Sequence, residues 1–463
     1  MKCLQGAVLF LGFTMAISAS AQEYSGIEPV VIPMGFAIGE EGKGSVIAAD
    51  LDGDGSRELV VTAPGKIGAY TLEGERIWLI EVDVRVSAGS SERHGLPGHH
   101  APGVQVADID GNGKNELLYL DQSSTVHIHD AATAEALKSV KVPHPDGAAR
   151  WEHLAVANLR GEGDRDLILQ ATNQDGYRVG HYVAAYAIDA LGQEPLWKND
   201  HFGALAHGPL RLADLNLDGK DEVIGFTILG PDGSPTDWQY PPIDEQYAGG
   251  ASFHIDSIFI YDVRPDVPGL EVVLLEEGRN YLALANLEHG LLWWETNNRT
   301  EPQNAAVGEF DRERPGLEIW CRSRFNTDQK PWVVDARGAI IARYELKNTA
   351  PPDWPAEGIE TIVAIDWTGE EKQLIAAKAR HTVGDVCLVD PMTGRFLDRF
   401  DEEADRLYVA DVLGDWREEL IVINHDEVHV YQNPDQNPRP DQPRLWQQPH
   451  YRRNKMTWNY YSP

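Results

Sequence analysis

The chain has 463 residues, and its 73 Asp and Glu against 40 Lys and Arg give a formal net charge of −33. A surface this acidic repels nucleic acid and anionic lipid, so neither is expected as a partner, and any anionic ligand needs a local basic site. A hydrophobic content of 42%, with 13 Trp, 16 Tyr and 11 Phe, excludes an unfolded chain.

At the N-terminus, Lys2 precedes an apolar run from Ala7 to Ile17 and then Ala19, Ser20 and Ala21, the pattern of a secretory signal cleaved after Ala21. The expected organisation is therefore a signal at 1–21 and a single domain at 22–463, in a secreted or periplasmic protein. No later run reaches the roughly 20 apolar residues of a membrane helix. Cys3 leaves with the signal, and Cys321 and Cys387 are expected as two free buried thiols rather than a bridge.

A repeat then organises the chain. Each copy has a short apolar strand, an acidic Gly-rich loop, an acidic residue and a second strand. The loops open at Asp50, Asp108, Asn158, Asp214, Asp262, Asp311, Asp366 and Asp411, a period of about 52 residues, within the range of propeller blades. After the second strand most copies offer two more strands joined by a turn, such as the one at Glu73 and Gly74. The expected fold is all-β, an eight-bladed β-propeller of four-stranded antiparallel blades, seven blades and a stray repeat being the other count. The segment 27–32 is placed to add a strand that closes the ring against the last blade.

In such a blade the acidic loops join the innermost strand to the next, so all of them line one face. Asp50, Asp52, Asp54 and Glu58 fall at loop positions 1, 3, 5 and 9, as do Asp108, Asp110, Asn112 and Glu116, and Asp214, Asn216, Asp218 and Glu222. That spacing wraps a hard cation in oxygen ligands, and calcium in a structural role is the expected cofactor. The bland alternative is that Asp, Asn and Gly make the turn while the ninth residue bonds backbone amides.

The opposite face differs in composition. Residues before the inner strands include His99, His100, His153 and His207, and the turns on that side carry Arg279, Arg322, Arg324, Arg380 and His381. A long excursion at 229–252, assigned to the turn after the second strand of the fourth repeat, adds Tyr240 and Tyr247. This collection predicts a locally positive funnel with aromatic platforms, suited to an acidic polysaccharide. Polymers containing uronic acid are cleaved by β-elimination when the carboxylate is neutralised, a base takes the proton alpha to it, and an acid protonates the leaving oxygen. His100, His153, His207 and Tyr247 are the candidates for proton transfer. His99, Tyr240, Arg279, Arg322, Arg324, Arg380 and His381 are the candidates for substrate binding. Hydrolysis would need two carboxyl groups aimed into one cleft, and Glu152 and Asp237 are the best on offer. His127, His129 and His429 read as ordinary strand residues.

The Asp-x-Asp-Gly-Asp-Gly loops resemble the calcium-binding repeats of integrin-type propellers. More specifically, 50–61, 214–224 and the run Gly414, Asp415, Trp416, Arg417, Glu418, Glu419 resemble the rhamnogalacturonan lyases of polysaccharide lyase family 11. The resemblance implies an eight-bladed, calcium-containing propeller that cuts a rhamnose- and uronate-bearing backbone by elimination. The His, Tyr and Arg rim is also similar in kind to propeller lyases acting on ulvan and rhamnose–glucuronate linkages. The expectation is a secreted, monomeric polysaccharide lyase whose partner is an acidic polysaccharide. The competing expectation is a non-catalytic, calcium-dependent propeller that binds glycan or protein.

Overall fold

The computed structural model describes residues 24–38, 44–82, 84, 103–172, 179–203, 205, 208–238, 255–277, 280–296, 301–324 and 329–459. Their strands form eight antiparallel sheets arranged in chain order. The inner strands are Ser45–Ala49, Val104–Ala107, Trp151–Ala157, Arg211–Ala213, Ile255–Tyr261, Pro302–Gly308, Ile359–Ile365 and Arg406–Ala410. Every residue of these strands but Tyr261 is buried, because each blade lies between two neighbours. Apolar side chains of adjacent sheets mesh there, as where Leu118 and Ile128 of blade 2 meet Leu154, Val156 and Leu167 of blade 3.

Seven blades have four strands, and blade 4 shows three among its described residues. Here the sequence reading is corrected. Ile228–Leu229 is already the third strand of blade 4, paired with Val223 and Ile224, so the excursion that follows leaves from the end of that strand. The ring closes as expected, with a small shift. Val30–Pro33 pairs with Glu427–Tyr431, setting Val31 opposite His429. The last blade thus combines the two ends of the chain, which locks the circle. Cys321 and Cys387 are free and buried, and burial pushes both thiols well above their ordinary pKa.

The acidic loops stitch neighbouring blades together. In several blades the residue just before the second strand reaches back to the loop of the preceding blade. Asn115 donates to the Asp50 carbonyl at 2.6 Å, Asp221 accepts from the Asn158 amide at 2.7 Å, and Gln373 accepts from the Glu309 amide at 2.9 Å. In blades 5 and 6 the bond is made by backbone alone, Leu270 to Leu215 and Leu317 to Val263. The glycines before these two, at φ +91° and +90°, sit so close that a Cβ would lie 2.5 and 2.4 Å from those carbonyl oxygens, so only glycine fits.

The tail after the ring was not anticipated from sequence. The helix α1, Pro449–Met456, enters the axial channel from the acidic face. Arg453 bonds the Val156 carbonyl, Asp164 and Asp221, Asn454 bonds the Ile260 carbonyl, and Lys455 bonds the Val409 carbonyl. The tail then crosses to the other end, where the Trp458 indole donates to the Val46 carbonyl and Asn459 lies against Gly208. Six inner strands are bonded to this one segment, counting Gln105, which donates to the Met456 carbonyl, and Arg211, which donates to the Thr457 carbonyl.

Candidate functional site

At the acidic face, the structure gathers the expected carboxylates and also explains the loops by backbone capping. Asp50 accepts from the Gly53 and Gly55 amides, Asp108 from Gly111 and Gly113, and Asp214 from Asp218 and Gly219. The ninth residues Glu58, Glu116 and Glu222 each accept from the amide of the loop's second residue, at 2.8, 3.1 and 2.8 Å. Outside the three expected cation loops, Asp166, Glu271, Glu318 and Glu419 cap in the same way. In two of the expected loops the oxygens also converge. Asp50, Asp52 and Asp54, and separately Asp108, Asp110 and Glu116, each bring carboxylate oxygens within 4.8 Å of one another. That donor set fits a hard divalent cation. In the third, the Asn216 amide donates to Asp218 at 3.3 Å, as Asn112 donates to Asp110 at 3.0 Å in the second.

A cavity of about 600 Å³ opens beside these loops, bounded by blades 1 to 4 and α1, with Asp50, Asp108, Asp214, Arg57, Arg165 and Arg453 in its wall. Composition placed cations on the other face only. Arg57 and Arg453 show that the acidic face has its own.

At the opposite end, the described cations lie mainly on blades 6 and 7. Arg322 closes the second strand of blade 6, Glu318–Ser323, and donates to Gln303 at 3.1 Å and to Asn304. Arg380 follows the second strand of blade 7, Leu374–Ala379, and donates to the same Gln303 oxygen at 3.0 Å and to the Arg324 carbonyl. Two guanidinium groups from neighbouring blades thus meet at one carboxamide oxygen, both almost wholly buried. Arg324 is more open and pairs with Glu277 at 2.8 Å and Glu301 at 3.2 Å. His381 and Lys378 share Glu360, at 3.1 and 3.4 Å. Burial, partly offset by Glu360, lowers the Lys378 pKa. In blade 5 burial, reinforced by the hydrogen-bonded Glu277, holds the Asp256 carboxyl well above the usual range.

The sequence reading expected a positive funnel. The described residues form a belt of paired charges, because a buried cation is tolerated only beside a carboxylate or several acceptors.

His153 stands apart, on the inner strand of blade 3, cross-paired with Gln170. It is 1% exposed, and neither ring nitrogen has a hydrogen-bond partner among the described residues. Burial lowers its pKa to about 3, so it is a neutral imidazole at any working pH. No hydrogen bond or ion pair joins it to the arginines. Its neighbour Glu152 pairs with Arg150 at 2.8 Å. His99, His100, His207, Tyr240, Tyr247 and Arg279 lie outside the described residues.

Sequence reasoning missed Gln303, Asn304, Glu360, Asp256 and Gln170. The signal for them was available: an acidic residue inside a mostly apolar strand, as with Asp256 in Ile255–Tyr261 and Glu360 in Ile359–Ile365.

Comparison with known proteins places this architecture. A family model described as rhamnogalacturonan lyase family 11, C-terminal domain, matches residues 177–461. The chain is similar to rhamnogalacturonan endolyase YesW of Bacillus subtilis (strain 168), 22% identical over 453 residues, covering 81% of this chain and 65% of that one. It is also similar to rhamnogalacturonan exolyase YesX of the same organism, 21% identical over 447 residues, covering 81% and 68%. The chain therefore spans about two thirds of the length of these relatives. Among solved structures, that of exotype YesX superposes with a TM-score of 0.68 at 20% identity, covering 94% of this chain and 81% of that one. YesW gives 0.60 at 21% identity, covering 90% and 76%. At these identities the structural likeness speaks for the fold.

Proposed function

Because the chain belongs to rhamnogalacturonan lyase family 11, we propose that it is an exported polysaccharide lyase that cleaves a rhamnose- and uronate-containing backbone by β-elimination. The observation that carries the reading is the meeting of Arg322 and Arg380 at Gln303. β-Elimination builds negative charge on the uronate carboxylate as the alpha proton leaves. Two preorganised guanidinium groups in a desolvated setting stabilise that charge far better than water does. The tail supports the reading in a second way. It lies in the axial channel bonded to six inner strands, which favours a polymer lying across one face over one threading the ring.

Within this reading His153 keeps the role of base given to it on the sequence argument; burial holds its imidazole neutral, but a pKa of about 3 makes it a weak base until bound substrate changes its surroundings. The acid that protonates the leaving oxygen is assigned to His207 or Tyr247 on the sequence argument alone. Calcium enters as a structural group held by the Asp50 and Asp108 loops, where it would offset the mutual repulsion of their carboxylates. The test is substrate charge. Cleavage of a rhamnogalacturonan backbone, and none of a neutral arabinan or galactan, is the expected result. Equal cleavage of both would remove the role given to the arginines.

A further inference from the structure

The outer part of blade 2 holds a second cluster with chemistry in it, far along the sheet from the axis. It is built from a turn and two paired strands, Thr125–Asp130 and Ala136–Lys141, with Tyr119 of Glu116–Leu120 beneath. His127 stands directly across from Ser139. Its Nδ1 lies 2.9 Å from the Ser139 hydroxyl, and its Nε2 lies 3.0 Å from the Asp121 carboxylate. We propose that Ser139, His127 and Asp121 form a nucleophilic site that hydrolyses small acyl esters, an activity separate from any polysaccharide cleavage.

The roles follow from donor and acceptor chemistry. Asp121 also accepts from the Ser123 amide at 2.8 Å, the Ser123 hydroxyl at 2.8 Å and the Thr125 amide at 2.9 Å. Burial raises its pKa, but the hydrogen bonds from His127, Thr125 and Ser123 outweigh this and hold it below the usual range. An ionised carboxylate only accepts, so the imidazole proton sits on Nε2 and Nδ1 is left to accept from Ser139. The tautomer is thereby fixed by a buried-side partner, the logic by which a serine is activated in any such triad, here with the two ring nitrogens exchanged. The ring is also clamped in plane. Tyr119 stacks on it at 4.7 Å between centroids and 11° between planes.

The backbone supplies the rest. Val142 donates to the Ser124 carbonyl at 2.9 Å, which makes 124 and 142 a hydrogen-bonded pair. Pairs alternate along an antiparallel ladder, so 127 and 139 form a non-hydrogen-bonded pair, the kind with the closest side chains. The strand carrying Ser139 is the outer edge of its sheet. The Ser139 N–H therefore points outward, away from the ladder, beside an exposed hydroxyl, and Lys141 lies two residues on along the same face of the strand. An outward amide, with a lysine two residues on, offers the kind of donor an oxyanion needs.

In the step, Ser139 Oγ bonds to the ester carbonyl carbon while its proton passes to His127 Nδ1. The tetrahedral intermediate collapses, the carbon–oxygen bond to the alcohol breaks, and His127 returns the proton to the departing alkoxide. Water then repeats the sequence, releasing the acid and restoring Ser139.

The test uses the full chain with p-nitrophenyl acetate. Ser139→Ala removes one hydroxyl from an exposed edge strand and leaves the fold, and Asp121→Asn keeps the shape of the orienting residue. Both variants should lose about a hundredfold in p-nitrophenolate release, the low end of what positioned proton transfer supplies. A fluorophosphonate probe should label Ser139 in the native chain, as read by peptide mass mapping, and not in the Asp121→Asn variant. Unchanged release in Ser139→Ala, or labelling that misses Ser139, would overturn the proposal.

Discussion

Arg453 lies 2.6 Å from Asp221, joining the last helix of the chain to the acidic loop of blade 4 across the mouth of the axial channel. The same guanidinium reaches Asp164 of blade 3 at 2.7 Å and is 16% exposed. Its positive charge therefore holds together two loops that would otherwise repel.

Replacing Arg453 by Met should break this clasp and leave two carboxylates without their counter-ion. Breaking a largely buried pair costs about 3 kcal/mol or more, so in a domain of this size calorimetry should show a fall in Tm of roughly 3–5 °C. A Tm equal to that of the native chain would mean the tail merely rests in the channel.

The closing blade has its own titration. Burial opposes charge on His429, but Glu402 at 2.7 Å and Glu427 at 3.2 Å win, and its pKa is raised. A raised pKa stabilises the fold below the unfolded value of about 6.5, and that contribution fades as pH climbs through the higher folded value. Because Val31 pairs directly with His429, the ring closure should weaken on the alkaline side. Thermal melts of the native chain should therefore decline between about pH 6 and 8 more steeply than those of His429→Gln. Parallel curves would count against the assignment.

Cation binding at the Asp50 and Asp108 loops predicts that chelation lowers Tm and that calcium restores it. A cation at a hundredfold excess over its Kd adds about 2.7 kcal/mol per site. Asp52→Asn together with Asp110→Asn should abolish most of the calcium-dependent rise. If the double variant responds to calcium as the native chain does, the cation binds elsewhere.

For His153, the conservative change to Gln retains bulk and polarity while removing the basic nitrogen. Turnover on rhamnogalacturonan should drop by about 10²–10⁴, with substrate affinity and Tm little altered. Since burial holds this imidazole near a pKa of about 3, the acid limb of kcat/KM between pH 5 and 8 should belong to another group and persist in any residual activity. A variant with native kcat would exclude His153 as the base.

Much of the fold was legible because the repeat is written in residues whose backbone demands are strict. Gly in positive-φ turns and Asp at loop position 1 recur where the chain must turn, and apolar strands flank them. The doubled role of the ninth glutamate was legible only as an alternative, since a carboxylate that caps an amide and one that holds a cation have the same spacing. The tail was hidden for a different reason. Pro449–Met456 has no apolar stripe, because its inward residues Arg453, Asn454 and Lys455 meet strand carbonyls and loop carboxylates and not a hydrophobic surface. The arginines of the far end were found by composition, but Gln303, which unites two of them, was not, since only the packing of blade 7 on blade 6 brings Arg380 to it.

Elimination is tested most directly by the ultraviolet absorbance of the product double bond during incubation with a rhamnogalacturonan backbone. The expected result is a rise in absorbance in step with falling chain length, lost when Arg322 and Arg380 are both replaced by Met. Shortening of the polymer with no rise in absorbance would mean that water and not elimination breaks the bond, and would contradict the account.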